Sequence, residues 1–118
     1  MSVTTGLLES EILLQDAAAT NANGNVIDCR QYGLVALFSA AAAAWDGTLN
    51  FEGTADGSTT FVSIRGEDIA TGVLATTATG ATLSAIRRFD VSGLTGLRAR
   101  ITGRTAGNVT VRGRGVPA

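Results

Sequence analysis

Side chains able to do chemistry are few in this sequence and widely spaced. Its 118 residues include no histidine, so the commonest general base and metal ligand is missing. Acid pairs occur at Glu9/Glu11 and Glu67/Asp68, where two carboxylates could share proton donation and acceptance. Neighbouring acids on a strand or loop are more simply read as solvated. Cys29 is the only cysteine, so no disulfide can form within the chain. A catalytic thiol would want a basic partner, and Cys29 is expected to be a small buried residue in a strand. The oxygen-rich segment Asp56-Gly-Ser-Thr-Thr60 lacks the spaced carboxylates of a calcium loop and reads as a turn. These residues point to no catalytic centre, no metal and no cofactor. The expectation is a protein that is not an enzyme and has no small-molecule substrate.

Charge is the one constellation left. All nine basic residues are arginine, against ten acids, for a net charge of -1. Arg87, Arg88, Arg98, Arg100, Arg104, Arg112 and Arg114 crowd the last third, where Asp90 is the only acid. Arg98 and Arg100 share one face of a strand, and Arg112 and Arg114 share one face of the next. If these strands pair through the Gly103–Gly107 turn, all four lie on one outward face, because cross-strand neighbours sit about 5 Å apart. Three uses fit such a stripe: a solvated face with local ion pairs, a protein interface, or phosphate binding. Single-stranded nucleic acid would want interleaved aromatic stacking residues, and none are there, so no nucleic-acid partner is expected.

The elements that must carry these residues read as short strands. Leu8 to Asp16 is a strand or a short helix, with poor alternation. Asn21-Ala-Asn-Gly24 signals a turn, and Asn25–Cys29 a short strand. Leu34–Ser39 is apolar on both faces, which predicts a central strand. Ala40–Ala44 favours helix by propensity but is too short to nucleate one, so it reads as a strand end and loop. Leu49 and Phe51 alternate with Asn50 and Glu52 in a strand over Gly47–Thr54. Asp56-Gly57 then supplies the positive φ of a tight hairpin leading to a strand over Thr60–Arg65. A further strand is expected around Ile69–Ala75, another over Ala85–Val91, and two more where Leu97, Ala99 and Ile101, then Val109 and Val111, alternate with polar residues. Residues 1–7 carry no periodicity and read as a flexible arm. About seven or eight strands at 8–12-residue spacing with Gly-rich turns indicate one antiparallel β-sandwich or jelly-roll-like domain over residues 8–118.

Nothing in the sequence suggests a membrane partner. The N-terminus lacks the positive region of a signal peptide, and the weakly polar run from Gly33 to Trp45 is shorter than the roughly 20 residues a spanning helix needs.

Three segments carry a family resemblance: Asp28-Cys-Arg-Gln-Tyr-Gly-Leu-Val-Ala-Leu37, Gly47-Thr-Leu-Asn-Phe-Glu-Gly-Thr-Ala-Asp-Gly57, and Phe89-Asp-Val-Ser-Gly-Leu-Thr-Gly-Leu-Arg-Ala-Arg100. Together they resemble small β-sandwich modules of tailed-phage virions. In that group a D-x-x-x-Y turn enters a central strand, a G-T-x-x-F-E-G-S-x-D-G hairpin follows, and a V-x-G-L segment with an alternating arginine comes near the end. The likeness spans residues 25–114. It departs at Thr54, where serine is usual, and at Phe61, where tryptophan often stands.

The resemblance implies a virion structural protein, with a capsid decoration (cement) protein the reading that best suits the length. A head-spike base or a tail or baseplate module belongs to the same class. Its partners would be the major capsid protein, copies of itself, or both, and a trimer would suit a three-fold axis. Contact residues are expected among Leu7 and Leu8 in or beside the arm, which could add to a neighbouring sheet edge, and among Arg98, Arg100, Arg112 and Arg114. The acidic first two-thirds would meet such an arginine face in head-to-tail contacts. A rival from another class is a carbohydrate-binding sandwich for host attachment, with Trp45 as its aromatic platform.

Overall fold

The fold follows from inward-facing apolar residues on strands that alternate sides. A computed structural model describes residues 11–42, 44–55, 60–80 and 83–117. Among these are eleven strands and no α-helix. They are β1 (Glu11–Ala18), β2 (Ile27–Asp28), β3 (Tyr32–Ala42), β4 (Thr48–Thr54), β5 (Val62–Ser63) and β6 (Gly66–Asp68). Then come β7 (Leu74–Ala75), β8 (Thr77–Thr79), β9 (Ala85–Asp90), β10 (Gly96–Thr102) and β11 (Asn108–Pro117). One sheet has the order β1-β11-β3-β9-β6-β7, and the other runs β2-β10-β4-β5 with β8 also pairing β4. Every pairing is antiparallel. The two sheets enclose one core: a β-sandwich, as expected. The strand count exceeds the expected seven or eight because β2, β5 and β7 are two-residue pieces that extend the sheet margins.

Val35 and Leu37 of β3, Val109 and Val111 of β11 and Phe89 of β9 point inward from the six-stranded sheet. Leu49 and Phe51 of β4 face them with Leu97, Ala99 and Ile101 of β10. Where β11 runs on as Gly113, the space is taken: a Cβ there would lie 2.6 Å from Ile27 and 2.9 Å from Leu37. Cys29 is buried as expected, although it follows β2 and is not in a strand, and burial pushes its thiol up to about 11. The turn from Asp28 into β3 also forms, with the Tyr32 N–H donating to the Cys29 carbonyl.

Two stretches of sequence resolve differently from their local pattern. The segment from Leu8 to Asp16 is a strand where described, and its poor alternation has a cause. The β1–β11 register shifts between Leu13 and Gln15 and again between Gln15 and Ala18, and Ala17 takes φ 47°. Such bulges break the period of two. They turn Gln15 inward, where its Nε2 donates to the Ala99 carbonyl at 2.7 Å and ties β1 to the opposite sheet. The second is a correction: of Ile69–Ala75 only Leu74–Ala75 is strand. Asp68 Oδ1 accepts the Ala70 N–H, the Gly72 N–H returns to the Asp68 carbonyl at 2.7 Å, and Gly72 takes φ 76°. An Asx turn and a left-handed glycine override the β-propensity of Ile69 and Val73, leaving β6 and β7 as a small hairpin. The hairpin of β4 and β5 forms as expected, Glu52 opposite Ser63; its Asp56-Gly57 turn lies outside the described residues.

Candidate functional site

The four arginines of the expected stripe are divided between two faces. β10 pairs with β2 and β4, whereas β11 pairs with β1 and β3. The link between them crosses from one sheet to the other instead of forming a hairpin. Its Asp46 anchor accepts the Thr105 and Ala106 N–H groups at 2.8 and 2.9 Å, and the Thr105 hydroxyl as well. Arg98 and Arg100 therefore project from the outer face of the five-stranded sheet, and Arg112 and Arg114 from the outer face of the six-stranded one.

On the five-stranded sheet the charges close on themselves. Glu52 stands opposite Arg98 in the register. Its Oε1 accepts Arg98 Nε at 2.9 Å, and its Oε2 accepts Arg100 Nε and Nη2 at 3.0 and 2.8 Å. The Arg98 guanidinium also covers the Phe61 ring, 3.9 Å from its centroid. Arg100 first, and Arg98 with it, hold the Glu52 carboxyl below the usual glutamate range against the opposing effect of burial. Arg98 and Arg100 thus form an internal, hydrogen-bonded triad with Glu52 on this face.

The outer face of the six-stranded sheet is different in kind. Phe38 of β3 lies directly opposite Ile86 of β9 on one side and Arg112 of β11 on the other. Phe38 is 46% exposed and Ile86 43%. Beyond Arg112 the row continues to Leu13, and beyond Ile86 to Ile69, whose N–H donates to the Ile86 carbonyl. Arg114 flanks this band in the next row, opposite Ala36, and Arg88 pairs there with Glu67 at 3.0 Å. A shallow groove of about 220 Å³ lies between Phe38, Ile86, Arg112 and Arg114. The sequence expectation that β3 is apolar on both faces holds as composition. The strand is central in its sheet, but no layer lies over its outer face among the described residues.

Trp45 is half-buried against the core, and its indole N–H is buried with no hydrogen-bond partner among the described residues. That places it as an anchor of the sandwich end. Leu7 and Leu8, the proposed arm contacts, lie outside the described residues.

One further residue, outside the expected stripe, stands forward in the structure. Arg87 is 4% exposed and lies between the sheets, its Nη1 donating to Ser39 Oγ at 3.3 Å and to the Leu83 carbonyl at 3.4 Å. Its guanidinium stands 5.5 Å from the Phe51 ring centroid. The signal was present: Arg87 shares the parity of Phe89, so whichever way Phe89 points, Arg87 follows.

The sequence pattern of the XepA family matches residues 9–115. The chain belongs to the XepA family. Two solved structures share its fold. The SPBc2 prophage-derived protein YomS superposes with a TM-score of 0.76 at 16% identity, over 87% of this chain and 88% of that one. The PBSX exported protein XepA gives a TM-score of 0.80 at 18% identity, over 89% of this chain. This XepA-family chain spans 36% of the length of that second structure. No curated protein matches the chain. The prophage derivation of YomS is in keeping with the phage resemblance of the sequence.

Proposed function

We propose that this chain is an accessory structural protein of a phage particle, a capsid decoration module that docks on the outside of the head and stabilises it. The observation that carries the reading is the exposed apolar band of Phe38 and Ile86 beside Arg112 of β11. Large apolar side chains that meet on a flat sheet face, with arginine beside them, are the usual anchors of protein interfaces. The partner is the major capsid protein, with other copies of this chain as a second source of contacts. Acidic groups on the partner would orient the encounter through Arg112 and Arg114. Docking on the assembled state alone stabilises that state by mass action. The protein works in the virion, by contact and not by catalysis.

The test mixes purified protein with phage particles from its source and follows co-sedimentation and immunogold labelling. The wild type is expected to sediment with the particles and label the heads. Phe38→Asp, at an exposed position, should keep the fold and lose binding by at least about tenfold, the scale of one interface anchor. Label confined to the tail tip would replace the decoration role with a tail or host-attachment role. Undiminished binding by Phe38→Asp would remove this face from the account.

A further inference from the structure

Ala85, Arg87 and Phe89 share the inward parity of β9, and a packed sandwich asks for a hydrophobic side chain at the middle position. This chain places a guanidinium there. A buried charge is costly unless hydrogen bonds and nearby charges compensate it, so its presence calls for a reason. Ser39 Oγ, the Leu83 carbonyl and the Phe51 ring hold the guanidinium in one orientation. Burial pulls its pKa down, and the carboxylate of Asp68 opposes that pull.

Arg87 does not end in closed core. It lines a cavity of about 320 Å³ together with Asp68, Thr71, Val73, Thr77 and Ser84. The cavity opens at the edge of the sandwich where the β6–β7 hairpin of one sheet faces β8 of the other. Its volume is at the lower end for small-molecule sites, which suits a single sugar ring. The lining is a set of complements: one fixed cation for an acid group, one carboxylate and three hydroxyls for ligand hydroxyls, and Val73 for the C–H face of a ring. Asp68 disfavours a phosphate dianion by like-charge repulsion, whereas a monoanion rich in hydroxyls meets both Arg87 and Asp68 favourably.

We propose that this cavity is a binding site for a carboxylate-bearing sugar, with the acid group on Arg87 and the sugar hydroxyls on Asp68, Thr77 and Ser84. The site is separate from the docking face. It is also not the tryptophan platform expected of a carbohydrate-binding sandwich: the recognition is ionic and lies at the sheet edge. The isolated chain is enough to test it, so its failure and the failure of the particle-docking reading are distinguishable.

Sodium glucuronate titrated into the ¹⁵N-labelled full chain is the direct probe, with glucose, glycine and inorganic phosphate as controls. Saturable shifts should be confined to amides of β6 to β9 and appear with glucuronate alone. Arg87→Met should abolish them. Because that variant removes a buried group, Thr77→Val and Ser84→Ala, both at exposed positions, form the second set. Each should keep the folded spectrum and weaken binding by about three- to tenfold, the loss of one hydrogen bond. Equal response to glucose, glycine or phosphate, shifts scattered outside the cavity, or unchanged affinity in both exposed variants would each overturn the site.

Discussion

Phe51 and Phe89 reach across the sandwich from opposite sheets and meet with ring centroids 5.1 Å apart, their planes tilted by 59°. Tilted packing of this kind adds to what area burial alone contributes. Both rings are essentially inaccessible, and with few aromatic residues in the chain they supply much of the volume between the sheets. Phe51→Ala should therefore cost about 3–5 kcal/mol, the range for a large buried aromatic. That is a large share of the roughly 5–15 kcal/mol that holds a domain folded. Denaturant unfolding followed by Trp45 fluorescence measures it. A loss below about 1 kcal/mol would mean that the two rings do not bridge the sheets.

Glu52 gives a second, pH-dependent test. Its folded pKa is lowered, chiefly by the hydrogen bonds from Arg100 and then by Arg98. A carboxyl whose folded pKa lies below its unfolded value contributes stability that is fully present above the unfolded value, about 4.3 for glutamate. The contribution is lost as pH falls through the folded value. Glu52→Gln keeps the shape and removes the charge, leaving Arg98 and Arg100 to face one another. The variant should be less stable by about 1–3 kcal/mol at neutral pH, the scale of a charged hydrogen bond. The gap to the wild type should narrow below about pH 4. A gap that stays constant with pH would show that the carboxylate charge is not what holds the triad.

Period-two alternation made β4, β10 and β11 legible, and with them the sandwich. Pairing was the step that failed: the five-residue interval from Gly103 to Gly107 is hairpin-like in length, yet it carries the chain from one sheet to the other. No local pattern distinguishes the two outcomes, and the residue that holds the crossing segment, Asp46, is distant in sequence. The β1 bulges and the Asp68 turn were hidden for the same reason, since each overrides propensity with a specific hydrogen bond. The candidate sites were only half visible. Phe38 and Leu37 cannot both face one core, so one had to be outward. Similarly, Ile86 and Arg87 had to divide between the two faces, and Phe89 fixed which went inward.

Asp46 ties down the crossing between β10 and β11, and its carboxyl should report that role. The Thr105 hydroxyl, then the Ala106 and Thr105 N–H groups, donate to it and lower its pKa to about 2 from an ordinary value of 3.8. The sign is again that of a depressed carboxyl: the stabilisation is complete above about pH 4 and disappears as pH falls toward 2. A ¹³C titration of the Asp46 carboxyl should give a midpoint near 2 in the folded protein. Asp46→Asn should lower the melting temperature at neutral pH and flatten its dependence between pH 4 and 2. An ordinary midpoint, or a variant with an unchanged melting profile, would mean that the crossing is held by the strands alone. The separation of Arg98 and Arg100 from Arg112 and Arg114 would then be a property of sheet packing, independent of this carboxylate.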